Sequence, residues 1–216
     1  MTNEPLLFAL PKGRLMEKSQ ELFNSMGIKF SFDNRKLVAD DQTGEFRFFL
    51  VKNSDLPTYV HHGIAGLGVC GSDVIYESGK DFYKLHTFSY GSTKMCLAGL
   101  KGAHNNGNDA ALKVSSKFTR FTRDYYNSKN TPVEIIKLNG SVELGPVLGL
   151  SPYIVDLVET GNTLRANNLE VIKELSDIKV HLIANPAYYK INYKRINKFV
   201  EDIKKGEENW NREKQK

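Results

Sequence analysis

The stretch IVDLVETGNTLRANNLE, residues 154–170, decides how the rest of the chain is interpreted. Its apolar run at 154–158 is typical of a buried strand, and apolar residues at helical spacing predict a helix over 164–175. Residues 160–163 would then form the turn from strand to helix. Unpaired N–H groups and the positive end of a helix dipole converge on such a turn, so it suits an anion such as phosphate.

Two acids, Asp156 and Glu159, stand beside this predicted turn. Ionised carboxylates only accept hydrogen bonds and suit the hydroxyl groups of a sugar, whereas backbone N–H groups and threonine hydroxyls suit a phosphate. A phosphorylated ribose carries both kinds of group. The alternative is that the acids cap a helix or lie on the surface. The candidate phosphoribosyl-binding residues are Asp156, Glu159, Thr160, Gly161, Asn162, Thr163 and Leu164.

Short apolar runs alternate with amphipathic segments along most of the chain. Runs typical of strands lie at residues 6–10, 46–51, 67–70, 94–100, 112–115, 133–138, 153–158 and 180–184. Helix candidates lie at residues 14–26, 56–62, 72–78, 119–127, 141–148, 164–175 and from about 193 onward. This alternation predicts an α/β fold with mostly parallel strands. We expect two lobes with a central cleft, where α/β proteins usually bind ligands.

The composition narrows the functional classes. With 216 residues and 40% hydrophobic content the chain can bury a sizeable core. Its apolar runs are far shorter than the roughly 20 residues of a membrane span, and no targeting segment is visible. Cys70 and Cys96 lie in apolar runs without metal-ligand spacing, which indicates reduced core thiols in a cytoplasmic protein.

The chain is basic, with a formal net charge of +5 and a pI of about 9.0. Much of the charged sequence lies near the C-terminus and is of mixed sign, as in a solvated helix. A polyanionic small molecule explains the remaining excess as well as a nucleic acid would. The sequence contains no recognisable nucleic-acid module, so we expect neither a nucleic-acid nor a membrane partner.

Two further segments repeat the layout of strand, glycine turn and helix. In FALPKGRLMEKSQELF, residues 8–23, Lys12 and Arg14 crowd a helix N-terminus, which disfavours cations unless an anion binds there. The alternative is that both side chains simply reach solvent. In GLGVCGSDVIYESG, residues 66–79, the residues Gly71, Ser72 and Asp73 offer a weaker signal of the same kind.

The ordered set LPKGRL, SDLPTYVHHG, GLGVCGSDV, GSVELGP and IVDLVETGNTLRANNLE resembles the ATP phosphoribosyltransferase family, the first enzymes of histidine biosynthesis. The resemblance runs from about Leu6 to Asn185. It implies a fold similar to type II periplasmic binding proteins, with one lobe from residues 1–92 and 179–216 and the other from 93–178. It also implies condensation of ATP with 5-phosphoribosyl 1-pyrophosphate (PRPP), with Mg²⁺ carried by the substrate and no metal ligand assigned to the protein.

The resemblance further implies roles for particular residues. Lys12 and Arg14 would be catalytic, at the pyrophosphate, and the loop of DLVETGNTL would bind the phosphoribosyl group. The candidate ATP-binding residues are Arg35, Lys52, Gly71, Ser72 and Asp73. The short form of the family works with a separate regulatory subunit similar to the catalytic core of histidyl-tRNA synthetase, commonly as a hetero-octamer.

The chain departs from the common family pattern at three positions. Lys52 replaces a common arginine, Gly66 a common aspartate and Ser72 a common lysine. Lysine lacks the planar fork with which arginine binds phosphate. Two other functions stay open at this point: a binding or sensor domain without catalysis, since fold does not fix function, and a phosphoribosyltransferase acting on another base.

Overall fold

The computed structural model describes residues 4–33, 35–102 and 111–214. The chain divides into two compact units. Unit 1 consists of Met1–Gly91 and Lys179–Lys216, and unit 2 consists of Ser92–Ile178. The chain thus passes from unit 1 into unit 2 and returns.

Strands and helices alternate along the described residues. The strands are β1 (Leu6–Pro11), β2 (Val38–Asp40), β3 (Phe46–Val51), β4 (Leu67–Gly71), β5 (Tyr83–Leu100), β6 (Leu112–Ser116), β7 (Val133–Lys137), β8 (Tyr153–Val158) and β9 (Leu169–Ala184). The helices are α1 (Arg14–Ser25), α2 (Leu56–His61), α3 (Ser72–Ser78), α4 (Thr119–Asn127), α5 (Leu144–Val147), α6 (Asn162–Ala166) and α7 (Pro186–Lys214). The α/β prediction is confirmed, but the expectation of mostly parallel strands is wrong, because the sheet is mixed: β2 with β3, β4 with β9 and β5 with β8 pair antiparallel.

In unit 1, β1 lies between two parallel neighbours, β3 and β4. The strand β2 pairs antiparallel with β3, and the end of β9 pairs antiparallel with β4. The carboxyl ends of β1, β3 and β4 therefore meet at one edge of the sheet, which is where open α/β sheets bind ligands.

Both faces of β1 are buried, which explains its uninterrupted apolar run. On one face the Phe8 ring packs against Phe23 of α1 and Phe199 of α7, with ring centres 5.5 and 6.0 Å apart. On the other face Ala9 belongs to a second cluster with Leu56 of α2. Burying one such phenylalanine contributes about 1.5–3 kcal/mol, so these contacts fix the strand that precedes Lys12.

The end of α7 is tied to β5 by a buried carboxylate. Glu207 accepts hydrogen bonds from His86 Nε2, Ser89 N–H and Ser89 Oγ, each 2.7 Å long. Burial opposes ionisation of Glu207, but the hydrogen bonds from His86 and Ser89 outweigh it and lower the pKa of this carboxyl. The charged C-terminal segment is thus part of the folded unit 1.

In unit 2, β6 pairs in parallel with β7 and β8, and β8 pairs antiparallel with β5. Val155 of β8 packs in a cluster with Val114 and Phe118, while its neighbour Ile154 faces a different cluster that contains Leu164. The carboxyl ends of β6, β7 and β8 meet at one edge, which holds the turn after β8.

The predicted helix over 164–175 is wrong. The structure has the five-residue helix α6, then Asn168 with φ of 57°, and then the long strand β9. Asparagine tolerates this left-handed conformation, which ends helices. The spacing of the apolar residues in 169–178 is compatible with a helix or with a strand. The segment is a strand because β9 pairs with β5.

Other predicted element boundaries also differ from those in the structure. The strands β5 and β9 begin well before the predicted residues 94 and 180, helix α5 covers only part of 141–148, and α7 begins at Pro186. Cys70 and Cys96 are buried and free, as predicted. Among the helices of the described residues, none combines the length and the apolar character needed to cross a membrane.

Candidate active site

The turn after β8 contains the predicted phosphoribosyl-binding residues. Glu159 and Thr160 are exposed, Gly161 adopts φ of 71°, and α6 begins at Asn162. Leu164 is 6% exposed and anchors the helix in the core of unit 2. Because α6 has only five residues, an anion here would depend on the N–H groups of the turn more than on a helix dipole.

Arg165 braces this turn, a role that the sequence did not reveal. Its Nη2 donates a 2.9 Å hydrogen bond to the carbonyl of Thr160 and a second bond to Oδ1 of Asn162. Its backbone N–H donates to the carbonyl of Gly161 over 3.0 Å. Arg165 therefore fixes the turn from its C-terminal side. Thr163 is exposed at the surface of the turn.

Asp156 lies near the carboxyl end of β8, with 19% of its side chain exposed. Its Oδ1 accepts a 2.8 Å hydrogen bond from the N–H of Leu157 and lies 3.7 Å from Lys117 Nζ. Burial raises the pKa of Asp156 and Glu143 raises it further, whereas Lys117 and the Leu157 N–H act in the opposite direction. The carboxylate is therefore costly to keep ionised, as is typical of functional sites.

Sequence reasoning missed Lys117 and Glu143 as neighbours of Asp156. Lys117 follows β6, and the register pairs Ser116 with Val155, so Lys117 comes level with Asp156. The only available signal was a lysine just beyond a predicted strand. Nothing in the sequence indicated that β6 and β8 are adjacent in the sheet.

In unit 1, the predicted catalytic residues follow β1 at the shared carboxyl edge. Lys12 and Arg14 are exposed, and the N–H of Lys12 extends the ladder with a 2.9 Å bond to the carbonyl of Val51. Lys52, which follows β3, and Gly71, which ends β4, lie at the same edge. The sheet thus brings together three segments that are far apart in the sequence.

Gly13 makes the sharp connection between β1 and α1. Its φ of 95° lies in the region that disfavours any residue with a Cβ. As the N-cap of α1, Gly13 has no side chain with which to cap the helix, and its carbonyl accepts a 2.9 Å hydrogen bond from the N–H of Met16. The earlier N–H groups of this twelve-residue helix consequently point toward the edge that carries Lys12 and Arg14.

Arg35 lies two residues before Leu37, whose carbonyl accepts a 2.8 Å bond from the N–H of Leu50 near the end of β3. Because β2 is antiparallel to β3, the start of β2 lies at the same edge as the end of β3. Arg35 is exposed and has φ of 67°. The register therefore places it on the side of the sheet edge that Lys52 occupies.

Ser72 and Asp73 form the first turn of α3, and both are engaged in unit 1. Ser72 Oγ accepts a 3.2 Å hydrogen bond from the N–H of Lys179. Asp73 is only 4% exposed. Burial and the charge of Asp73 raise the pKa of Cys70, so this thiol is inert at neutral pH.

Gly66 has a structural explanation. A Cβ at this position would lie 2.0 Å from the Tyr188 ring, whose hydroxyl accepts a 3.0 Å bond from the N–H of Leu7. The backbone of Gly66 is bonded on both sides, to the Leu7 carbonyl and to the Asn185 N–H. The tyrosine ring therefore occupies the space that an aspartate side chain would need.

Comparison with known proteins identifies relatives of the whole chain. The family model described as HisG: ATP phosphoribosyltransferase matches residues 52–205. ATP phosphoribosyltransferase from Lachnospira eligens is 42% identical over 206 residues, which cover 93% of this chain and 95% of that protein.

Solved structures give the same picture. A chain of the ATP phosphoribosyl transferase (HisG:HisZ) complex from Thermotoga maritima matches with a TM-score of 0.81 and 35% identity, over 94% of this chain and 98% of that one. The periplasmic aliphatic sulphonate binding protein SsuA from Escherichia coli matches with a TM-score of 0.61 over 94% of this chain and 72% of that one. At 12% identity the second likeness shows the fold alone, and it confirms the predicted similarity to periplasmic binding proteins.

Proposed function

The chain belongs to the ATP phosphoribosyltransferase family, and on this basis we propose that it condenses ATP with PRPP to give N1-(5-phosphoribosyl)-ATP and pyrophosphate. This is the first step of histidine biosynthesis. The observation that carries the proposal is the 42% identity with a named ATP phosphoribosyltransferase over 93% of the chain. The geometry of the turn after β8 supports it, because two acids, a glycine with left-handed backbone and the exposed residues Thr160 and Thr163 occur there together.

The phosphoribosyl group binds at this turn. The N–H groups of residues 160–163 and the hydroxyls of Thr160 and Thr163 hold the 5′-phosphate, and Leu164 anchors the turn in the core. Asp156 and Glu159 accept hydrogen bonds from the ribose hydroxyls. Gly161 supplies the left-handed conformation that lets the backbone approach the phosphate closely.

Charge governs the reaction itself. The C1–oxygen bond to pyrophosphate breaks while a bond forms between C1 and adenine N1, so negative charge develops on the departing pyrophosphate. We propose Lys12 and Arg14 as the cations that stabilise that charge. Adenine N1 is a neutral nucleophile, so orientation of the two substrates supplies most of the remaining catalysis.

The ATP phosphates bind among the other basic and polar groups at the carboxyl edge of unit 1. Arg35 and Lys52 are their candidate cations. Gly71 and Ser72, at the start of α3, remain candidates for contacts to the phosphates. Asp73 is buried and its carboxylate would repel a phosphate, so we assign it no direct contact. Lysine at position 52 gives a point charge without a bidentate fork, so we expect a single contact to one phosphate oxygen there.

When carried by PRPP, Mg²⁺ would supply additional positive charge at the leaving group, and no residue of this chain is assigned as its ligand. Within the described residues no three or more His, Cys, Asp or Glu side chains are grouped to hold a metal ion. Magnesium commonly binds in this way, with substrate phosphates as its principal ligands.

The partner of the chain is a separate regulatory subunit. The structural relative from Thermotoga maritima was solved as a HisG:HisZ complex, which supports a HisZ-type partner for this chain. We expect the assembly to be a hetero-octamer in the cytoplasm. A non-catalytic binding or sensor domain is not favoured, because the likeness to a solute-binding protein stands at 12% identity.

The test is release of pyrophosphate by the purified chain with Mg²⁺, measured with and without a HisZ-type subunit. Release should require both ATP and PRPP, and the product mass should equal ATP plus one phosphoribosyl group. Omission of either substrate, or replacement of ATP by GTP, should abolish it. A folded protein that releases no pyrophosphate under any of these conditions would contradict the proposed function.

A further inference from the structure

Lys117 occupies a fixed position beside the proposed sugar-binding acid. It follows the last residue of β6, and the pairing of Ser116 with Val155 brings it level with Asp156 on β8. Its Nζ lies 3.7 Å from Asp156 Oδ1. Its side chain is 44% exposed and thus reaches Asp156 from the solvent side of the sheet edge.

The backbone around Lys117 is locked to β8. Ser116 Oγ donates a 2.6 Å hydrogen bond to the carbonyl of Val155 and accepts a 2.9 Å bond from the N–H of Phe118. The Phe118 side chain is 4% exposed, and the ammonium of Lys117 lies 4.7 Å from the centre of its ring. These contacts restrict the lysine, so its proximity to Asp156 does not depend on a freely moving side chain.

The charges around Asp156 are unevenly distributed. Glu143, at the start of α5, is a like charge that disfavours ionisation of Asp156. The buried residue Cys96 on β5 is the cross-strand partner of Asp156. Burial raises the pKa of Cys96 and keeps that thiol neutral. Lys117 is the cation that offsets burial and Glu143, because its charge lowers the pKa of Asp156.

We propose that Lys117 is a positioning residue for the phosphoribosyl site, where its ammonium holds the Asp156 side chain ionised and oriented to accept hydrogen bonds from the ribose hydroxyls. This inference rests on the proposed function and assigns a residue to it. Lys117 acts through Asp156 and does not itself contact the sugar.

The experiment compares Lys117→Met, Lys117→Arg and the parent chain. Lys113→Met is the matched control, because Lys113 is also on β6, pairs with Glu134 at 3.5 Å and is 43% exposed. We expect Lys117→Met to reduce kcat/KM for PRPP roughly 2- to 30-fold at the acid end of the pH range, which is the loss that removal of the charge on Asp156 would itself cause. The acid limb of its pH profile should move to higher pH, and Lys117→Arg should restore much of the loss.

A second comparison uses the Asp156→Asn background. If Lys117 acts through Asp156, adding Lys117→Met there should change kcat/KM little. An equal further loss in that background would mean that Lys117 binds substrate directly, and it would overturn the inference. The inference would also be overturned if the pH profile of Lys117→Met kept the acid limb of the parent chain, or if Lys113→Met lost as much activity as Lys117→Met. A parent chain that is inactive both alone and with a HisZ-type subunit would instead refute the proposed function.

Discussion

Replacing Asp156 by asparagine should separate function from stability. The amide keeps the shape of the side chain and an Oδ1 that can still accept the 2.8 Å bond from the Leu157 N–H. It removes the charge and replaces one acceptor oxygen by an NH₂ donor. With 19% of the side chain exposed, the site is too covered for water to compensate fully.

The stability effect follows from the direction of the pKa shift. Burial raises the pKa of Asp156 above its usual 3.8, so the folded chain binds this proton more tightly than the unfolded chain. Above the folded pKa the ionised carboxylate therefore lowers the free energy of unfolding, and this penalty disappears as the pH falls below 3.8. Asp156→Asn removes the penalty, so its Tm at neutral pH should equal or exceed that of the parent.

The functional effect has the opposite sign. A charge-assisted hydrogen bond contributes about 1.5–3 kcal/mol against about 1 kcal/mol for a neutral one. The difference of about 0.5–2 kcal/mol per ribose hydroxyl predicts a roughly 2- to 30-fold lower kcat/KM for PRPP. Steady-state pyrophosphate release gives this ratio, and thermal unfolding gives Tm for the same samples.

Glu134→Gln is the control for these measurements, because Glu134 forms the comparable but more exposed ion pair with Lys113. It should leave kcat/KM unchanged. If Asp156→Asn kept the parental kcat/KM, or lost activity only in proportion to a lower Tm, the assignment of Asp156 to the ribose would be refuted.

Further predictions concern charge, packing and regulation. Lys12→Met should reduce kcat at least about tenfold without lowering Tm, because this exposed side chain does not pack on α1; equal kcat for both proteins would remove Lys12 from the site. Glu207→Ala should lower stability by about 1–3 kcal/mol at neutral pH, because the Ser89 and His86 donors lose their acceptor; in the parent chain the part of this contribution that depends on ionisation should fade as the pH falls below 4.5, since the folded pKa is lowered, and a Tm within one degree or so would disprove it. Gly66→Asp should lower Tm, and Tyr188→Ala in the same chain should recover part of the loss by vacating the clashing ring; no recovery would point to another cause. Histidine should inhibit only after the regulatory subunit is added, and strong inhibition of the chain alone would contradict the partner proposal.

Locally determined elements were predictable from the sequence. The bounds of α3 and α4 agree with the predictions, because each helix lies between clear breaks in the apolar pattern. The turn after β8 was predictable for the same reason, since Gly161 separates an apolar strand from polar residues. The positions of Lys12 and Arg14 after β1 depend on Gly13, again a local signal.

Features that depend on distant pairing were not predictable. The first half of β9 is largely exposed and carries alternating charge, so only its pairing with β5 makes it a strand. Lys117 lies 39 residues before Asp156, and the two meet because β6 and β8 are neighbours. A single sequence does not specify that order of strands. The sequence therefore allowed us to predict which residues form the candidate site, but not which residues surround them in the folded chain.

Hydrogen–deuterium exchange can show directly whether the turn after β8 binds the phosphoribosyl group. Exchange should be measured with Mg²⁺ in the absence and presence of saturating PRPP. We predict slower exchange at residues 159–164, because their N–H groups bind the 5′-phosphate, and a smaller change in Asp156→Asn. Unchanged exchange in this segment, with protection confined to other parts of the chain, would contradict it.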